Sequence, residues 1–249
     1  MLPSPDSGSS LTVTRCSFVH CHASGSVGGG GVFAQRVGSA SVCDSYFYDC
    51  SCGTSDYMEG GGVLLNYIAV KPSIARSMFV LCQSSDDAAG CGIWCSNASL
   101  PYAVDSCQYF KCEGLSESGS EGGGIMLWSN TDFVTCTNSL FYACKAKSRG
   151  GAICISYVSR PIFKPITFCF FKENKSDKGR DVYFQDFPST PLAITHSFSF
   201  EAASGRVFGR SDDWLPQAIM NPKIRGAKIR FMYHGRRVSL AVSMCQNFH

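Results

Sequence analysis

Apolar residues along this chain come in short bursts separated by polar, glycine-rich stretches, and the bursts keep a beat. One set follows glycine: "SVGGGGVFAQ" from Ser26, "GGGVLL" from Gly60, "GCGIWC" from Gly90, "GGGIMLW" from Gly122, "GGAICI" from Gly150 and the degenerate "GRDVYF" from Gly179. Aligned on the first branched residue these are Val32, Val63, Ile93, Ile125, Ile153 and Val182, at separations of 31, 30, 32, 28 and 29 residues. A second set places an aromatic three residues before a cysteine, at Phe18, Phe47, Phe79, Tyr109 and Phe141, with a sixth member at Phe171 where "FKEN" ends in asparagine. Its separations are 29, 32, 30, 32 and 30. Two patterns that share one period in constant order define a repeat array.

The unit is built of strands. Two residues before each aromatic stands Cys16, Ser45, Ser77, Cys107, Ser139 or Cys169, and five before it Val13, Val42, Ile74, Val104, Cys136 or Ile166. Side chains alternate along a strand with period two, so the small residue and the aromatic fall on one side. No apolar pattern at i, i+3, i+4, i+7 is long enough for a helix. One unit cannot bury its own apolar face, but coils stacked along an axis can, each strand pairing with its counterpart about 4.8 Å away. The glycines then mark a corner whose inside has no room for a Cβ. A phosphate-binding loop is excluded, because no glycine run is followed by Lys-Ser or Lys-Thr or opens a helix.

"GGAI" at Gly150 and "FKEN" at Phe171 resemble the paired GGA[ILV] and FxxN motifs of polymorphic outer membrane protein repeats, within the pectin-lyase-like group of right-handed β-helices. The resemblance covers residues 13–184. It departs at the asparagine position, where five of six copies carry Cys, a pattern similar to cysteine-rich β-helix proteins of protists. It implies an all-β, right-handed parallel β-helix of about six coils, used at cell surfaces and in adhesion, with no particular ligand. Three segments are expected: a weakly ordered 1–12, the repeats over 13–184, and 185–249, a worn coil and a capping hairpin. In the last, Gly205-Arg206-Val207 echoes Gly179 to Val182, and "AKIRFMY" and "RVSLAVSM" flank His234-Gly235 as hairpin strands. Solenoids need capped ends because a bare terminal coil is an exposed edge.

With 249 residues and 45% apolar content the chain can fold around one core. Residues 1–184 carry 14 basic and 15 acidic side chains, and 185–249 carry 8 and 4, so the basic excess lies in the tail. No signal peptide and no run of 18 apolar residues stands in the chain. An intracellular solenoid and a piece of a surface protein both fit. The resemblance favours the second, and the sequons at Asn97 and Asn174 agree with it. Of 15 cysteines, Cys21, Cys50, Cys82, Cys112 and Cys144 share one repeat position and are expected to stack as an internal ladder of free thiols. Cys43, Cys52, Cys91, Cys95 and Cys245 stand off it and are the better disulfide candidates.

Candidate chemistry is sparse. His20-Cys21-His22 has no second pair at zinc spacing, and neighbouring strand residues face opposite ways. Asp86-Asp87 and Asp212-Asp213 resemble one element of the galacturonan hydrolases of the β-helix group, but the accompanying motifs are missing apart from a reversed "KIR" occurring twice. Asp44, Asp49, Asp56, Glu59, Asp105, Glu113, Glu117 and Glu121 are spread over different corners rather than gathered as a calcium-dependent lyase requires. Lys223, Arg225, Lys228, Arg230, Arg236 and Arg237 form a basic tail that reads as a solvated face, not a nucleic-acid site. The expectation is a non-enzymatic adhesion or recognition module with no catalytic, cofactor or metal residues, meeting a protein or glycan through its lateral face and the loops 51–61, 83–90 and 113–123. A polysaccharide lyase or hydrolase and an intracellular scaffold are the alternatives.

Overall fold

The computed structural model describes residues 6–24, 28–53, 59–70, 72–85, 89–96, 102–116, 119–128, 134–156, 166–184, 194–195, 198–199, 208–210, 228–233 and 236–241. These contain strands and no helix, and three parallel sheets of seven strands each dominate. The chain is a parallel β-solenoid in which each coil contributes one strand to each sheet. In the second coil these are Val37–Cys43, Tyr46–Tyr48 and Val63–Asn66.

Register follows the repeat. On the first sheet Val13, Val42, Ile74, Val104, Cys136, Ile166 and Ile194 pair in succession. On the second the column is Phe18, Phe47, Phe79, Tyr109, Phe141 and Phe171, ending on Ser199. The six rings stack almost face to face, with centroids 4.6 to 5.2 Å apart and planes within 10°. A ring spacing set by the inter-strand distance brings offset stacking with it. The third sheet carries Val32, Val63, Ile93, Ile125, Ile153 and Val182 in one column. Its other face is apolar too: Leu64, Trp94, Met126, Cys154 and Tyr183 are each 0 to 2% exposed and form a second cluster.

The glycine corner joins the two sequence motifs. At Gly150, with φ +61°, a Cβ would lie 2.2 Å from the Ile153 carbonyl oxygen, so only glycine takes that turn. Two residues on, Gly62, Gly92 and Gly124 leave room for a ring of the following coil: a Cβ would stand 2.8 Å from Phe79, Tyr109 and Phe141. Glycine and aromatic share a period because they touch.

The corners on either side of the second sheet turn without glycine. Arg15, Asp44, Arg76, Ser106, Asn138 and Phe168 precede the second sheet, and His20, Asp49, Leu81, Lys111, Ala143 and Glu173 follow it, with φ between 48° and 59°. This left-handed region costs a residue with a Cβ about 1–2 kcal/mol. Each turn is held by the stack, since Asp44 N–H donates to the Ala75 carbonyl, Asp49 to Val80 and Leu81 to Phe110 one coil on.

Strand Asp6–Thr14 already pairs with the second coil, Ser10 against Ser39, so the first coil begins before residue 13. Gly38 N–H donates to Ser9 Oγ, and Leu11 packs on the core. The worn coil is present as Ile194–Thr195, Phe198–Ser199 and Phe208–Arg210, each adding a parallel strand. Phe208 rather than Val207 aligns with Val182. Lys228–Tyr233 and Arg236–Ala241 pair antiparallel.

Candidate recognition corner

The loops 51–61, 83–90 and 113–123 fall at one corner, between the small sheet of His22–Ser24, Ser51–Gly53, Gln83–Ser84 and Glu113–Gly114 and the glycine sheet of Gly28–Gly29, Glu59–Gly60 and Ala89–Gly90. Residues 54–58, 86–88 and 117–118 of these loops lie outside the described residues, as do Asp56, Asp86, Asp87 and Glu117. Farther along the axis the corner shortens. Glu113 bridges to Lys145 and Lys145 to Lys175, while Glu121 bridges to Arg149 and Arg149 to Lys178. Between these fixed rungs the fourth, fifth and sixth coils insert residues 114–120, 146–148 and 176–177, that is seven, three and two. Beside these turns lies a recess of about 540 Å³, lined by Glu113, Leu115, Lys145, Lys147, Lys175 and Arg180 among others.

Ser120, fully buried, ties the fourth coil to the fifth: its hydroxyl donates to the Gly114 carbonyl at 3.3 Å and accepts from Lys147 N–H at 2.7 Å. Charge changes sign along the axis in both rung columns, from Glu113 to Lys145 and Lys175, and from Glu121 to Arg149 and Lys178. The upper two rungs neutralise each other, with Lys145 Nζ 3.0 Å from Glu113 and Arg149 3.0 Å from Glu121. Burial pushes the Glu121 carboxyl upward, Arg149 opposes the shift, and the Cys154 thiol donates to its second oxygen. The Arg149 guanidinium also lies over the Tyr183 ring, 5.5 Å from its centroid. Among the described residues Lys147 and Lys175 have no ion-pair partner.

Most predicted polar residues serve the stack. Asp44 takes both arms of Arg76 at 2.7 and 2.8 Å, and that hydrogen bond holds its carboxyl below the usual range. Burial would raise Asp105, but the Thr137 hydroxyl, the Asn138 amide and the Ser106 hydroxyl together keep it low. His20 meets Asp49 and His22 meets Ser51, each at 2.9 Å across one coil, while Cys21 packs on the core, so the three are not gathered. Among the described residues no group of three or more His, Cys, Asp and Glu is placed to hold a metal ion, and no helix is long and apolar enough to cross a membrane. Lys228, Arg230, Arg236 and Arg237 stand on the hairpin, whereas Lys223, Arg225, Asp212 and Asp213 lie outside the described residues, as do Asn97 and Cys245.

The cysteines correct one expectation. Cys43, Cys52, Cys91 and Cys95 form no disulfides, and the fourteen described cysteines are all free thiols. Cys52, Cys91 and Cys95 are buried side chains of the wall, and burial raises Cys91 and Cys95 well above the ordinary thiol range. On the ladder each thiol donates to the carbonyl of the aromatic one coil back: Cys50 to Phe18, Cys82 to Phe47, Cys112 to Phe79 and Cys144 to Tyr109, at 3.5 to 3.8 Å. Asn174 continues the series by donating to Phe141 at 3.3 Å. Its amide also accepts from Cys144 N–H and donates to Asp181, and the residue is fully buried, so this sequon is closed to glycosylation in the folded chain.

Sequence reasoning missed Lys145, Lys147, Lys175 and Arg180. The signal lay in the drop of the repeat spacing from 32 to 28 and 29, which marks the shortened corner. Comparisons with protein-family models, with curated proteins and with solved structures find no match to this chain.

Proposed function

We propose that this chain is a non-enzymatic recognition module, displayed at a cell surface or secreted, whose solenoid is a rigid support and whose loop corner meets a protein or glycan partner. One observation carries the reading: the residues that recur are consumed by stacking, whereas at the corner of the Glu113, Lys145 and Lys175 rungs both the number of residues and the sign of charge change from coil to coil. Variable loops on a rigid scaffold are the common design of binding surfaces. The carboxylates point the same way, since Asp44, Asp49, Glu113 and Glu121 are each engaged by a basic partner one coil away and lie at three different corners. A glycosidase or lyase needs acid, base or calcium ligands converging on one bond. The resemblance of "GGAI" and "FKEN" to polymorphic outer membrane protein repeats supports surface display.

The test is an assay of the purified chain against pectin, alginate and neutral glycans, with and without calcium, following both binding and new chain ends. Binding without turnover is expected. Turnover that disappears when Asp86 and Asp87 are replaced overturns the proposal.

A further inference from the structure

The recess lined by Lys145, Lys147 and Lys175 holds more basic than acidic side chains among its described residues. Successive rungs of a parallel stack lie about 4.8 Å apart, and like charges directly opposite one another are destabilising. Lys145 and Lys175 occupy such successive rungs, and among the described residues only Lys145 has an acid, Glu113, in an ion pair with it. Lys147, exposed on the adjoining turn, adds positive charge to the same recess, and besides Glu113 the one acid among its described lining residues is Asp177. The backbone keeps these groups together, because Asp177 N–H donates to the Lys147 carbonyl and Lys178 N–H to that of Ser148.

We propose that this recess binds the sulfate or carboxylate groups of an acidic glycan, with Lys147 and Lys175 as the principal anion contacts. This deepens the recognition reading above and rests on it for the corner's role. A volume of about 540 Å³ accommodates a short oligosaccharide segment. The Ser176 hydroxyl on the lining is already donating to the Lys178 and Gly179 carbonyls, so the anion contacts fall to the ammonium groups. The recess offers no aromatic ring among its described residues, which separates it from single-stranded nucleic-acid sites, where bases stack on aromatic side chains. Lysine ammonium groups act as adjustable point charges and suit irregularly spaced anions.

Calorimetric titration with a heparin-derived tetrasaccharide and with tetragalacturonate provides the test, with a neutral dextran oligomer and a short single-stranded DNA alongside. The parent chain is expected to bind at least one acidic oligosaccharide, more weakly as salt rises, and to ignore dextran. Lys147→Ser with Lys175→Ser should weaken that binding about tenfold or more, whereas Lys111→Ser, at another corner, leaves it unchanged. Both lysines are exposed, and an unchanged melting temperature certifies the fold. Equal affinity of the double variant and the parent, no binding of either acidic glycan, or DNA binding at least as tight each overturns the proposal. Cleavage of a glycan whose binding still depends on Lys147 and Lys175 would sink the non-enzymatic reading and keep the recess.

Discussion

A thiol and a carboxamide do the same work in this protein. Cys50, Cys82, Cys112 and Cys144 each give one hydrogen to the aromatic residue's carbonyl in the preceding coil, and Asn174 does so with its Nδ2. The exchange is not free for the amide, whose oxygen must also be satisfied, and Cys144 N–H supplies that partner. Nearby, Asp181 stands where earlier coils have the third glycine and takes the remaining amide hydrogen. Serine has the matching role at the neighbouring corner: Ser45 and Ser77 donate to carbonyls of Cys43 and Ala75 two residues back and accept from Cys16 N–H and Ser45 N–H one coil earlier. A substitution at Cys82 separates hydrogen bonding from charge. Cys82→Asn should cost about 1 kcal/mol, the worth of one hydrogen-bond rearrangement. Cys82→Asp puts an uncompensated carboxylate in a fully buried position and should cost about 3 kcal/mol or more. Urea unfolding of the two variants reads the difference, and equal losses would show that the site does not distinguish an amide from an acid.

Strands and corners differ in how plainly the sequence declares them. The aromatic and glycine columns were legible because each is held by a contact that tolerates few residue types: a ring on a ring, and a ring against the bare α-carbon of Gly62, Gly92 or Gly124. The left-handed corners were not legible, because the stack holds them through backbone hydrogen bonds and accepts Arg, His, Leu, Lys and Phe alike. The recess was half legible. Its shortened turns alter the repeat spacing, but the pairing of Glu113 with Lys145 follows only once register is fixed. The same contacts predict that Phe79→Ala, at the middle of the ring column, loses about 3–5 kcal/mol. Phe79→Tyr should be tolerated, as Tyr109 already occupies the same column. Thermal melting compares them, and a Phe79→Ala variant as stable as the parent would remove the ring column from the list of stabilising features.

At the scale of the molecule, stability is a sum over neighbouring coils, because each strand pairs only with the coil before and the coil after it. The register of every column therefore follows from a few contacts, and a slip of one residue would turn the ring column and the thiol ladder outward together. Cysteine chemistry reports on this directly. Cys16 is exposed, whereas Cys50, Cys82, Cys112 and Cys144 are fully buried, and burial, reinforced by the neighbouring thiols, pushes Cys112 far above the ordinary range. Cys107, on the adjacent column, is pushed up to about 12 by burial. Alkylation of the native protein with iodoacetamide, followed residue by residue by mass spectrometry at pH 7.5 and pH 8.5, tests the stacked register in one measurement. The account predicts rapid labelling of Cys16, and protection of Cys50, Cys82, Cys112 and Cys144 at both pH values until the chain is unfolded. Labelling of those four at the rate of Cys16 in the folded protein would contradict it.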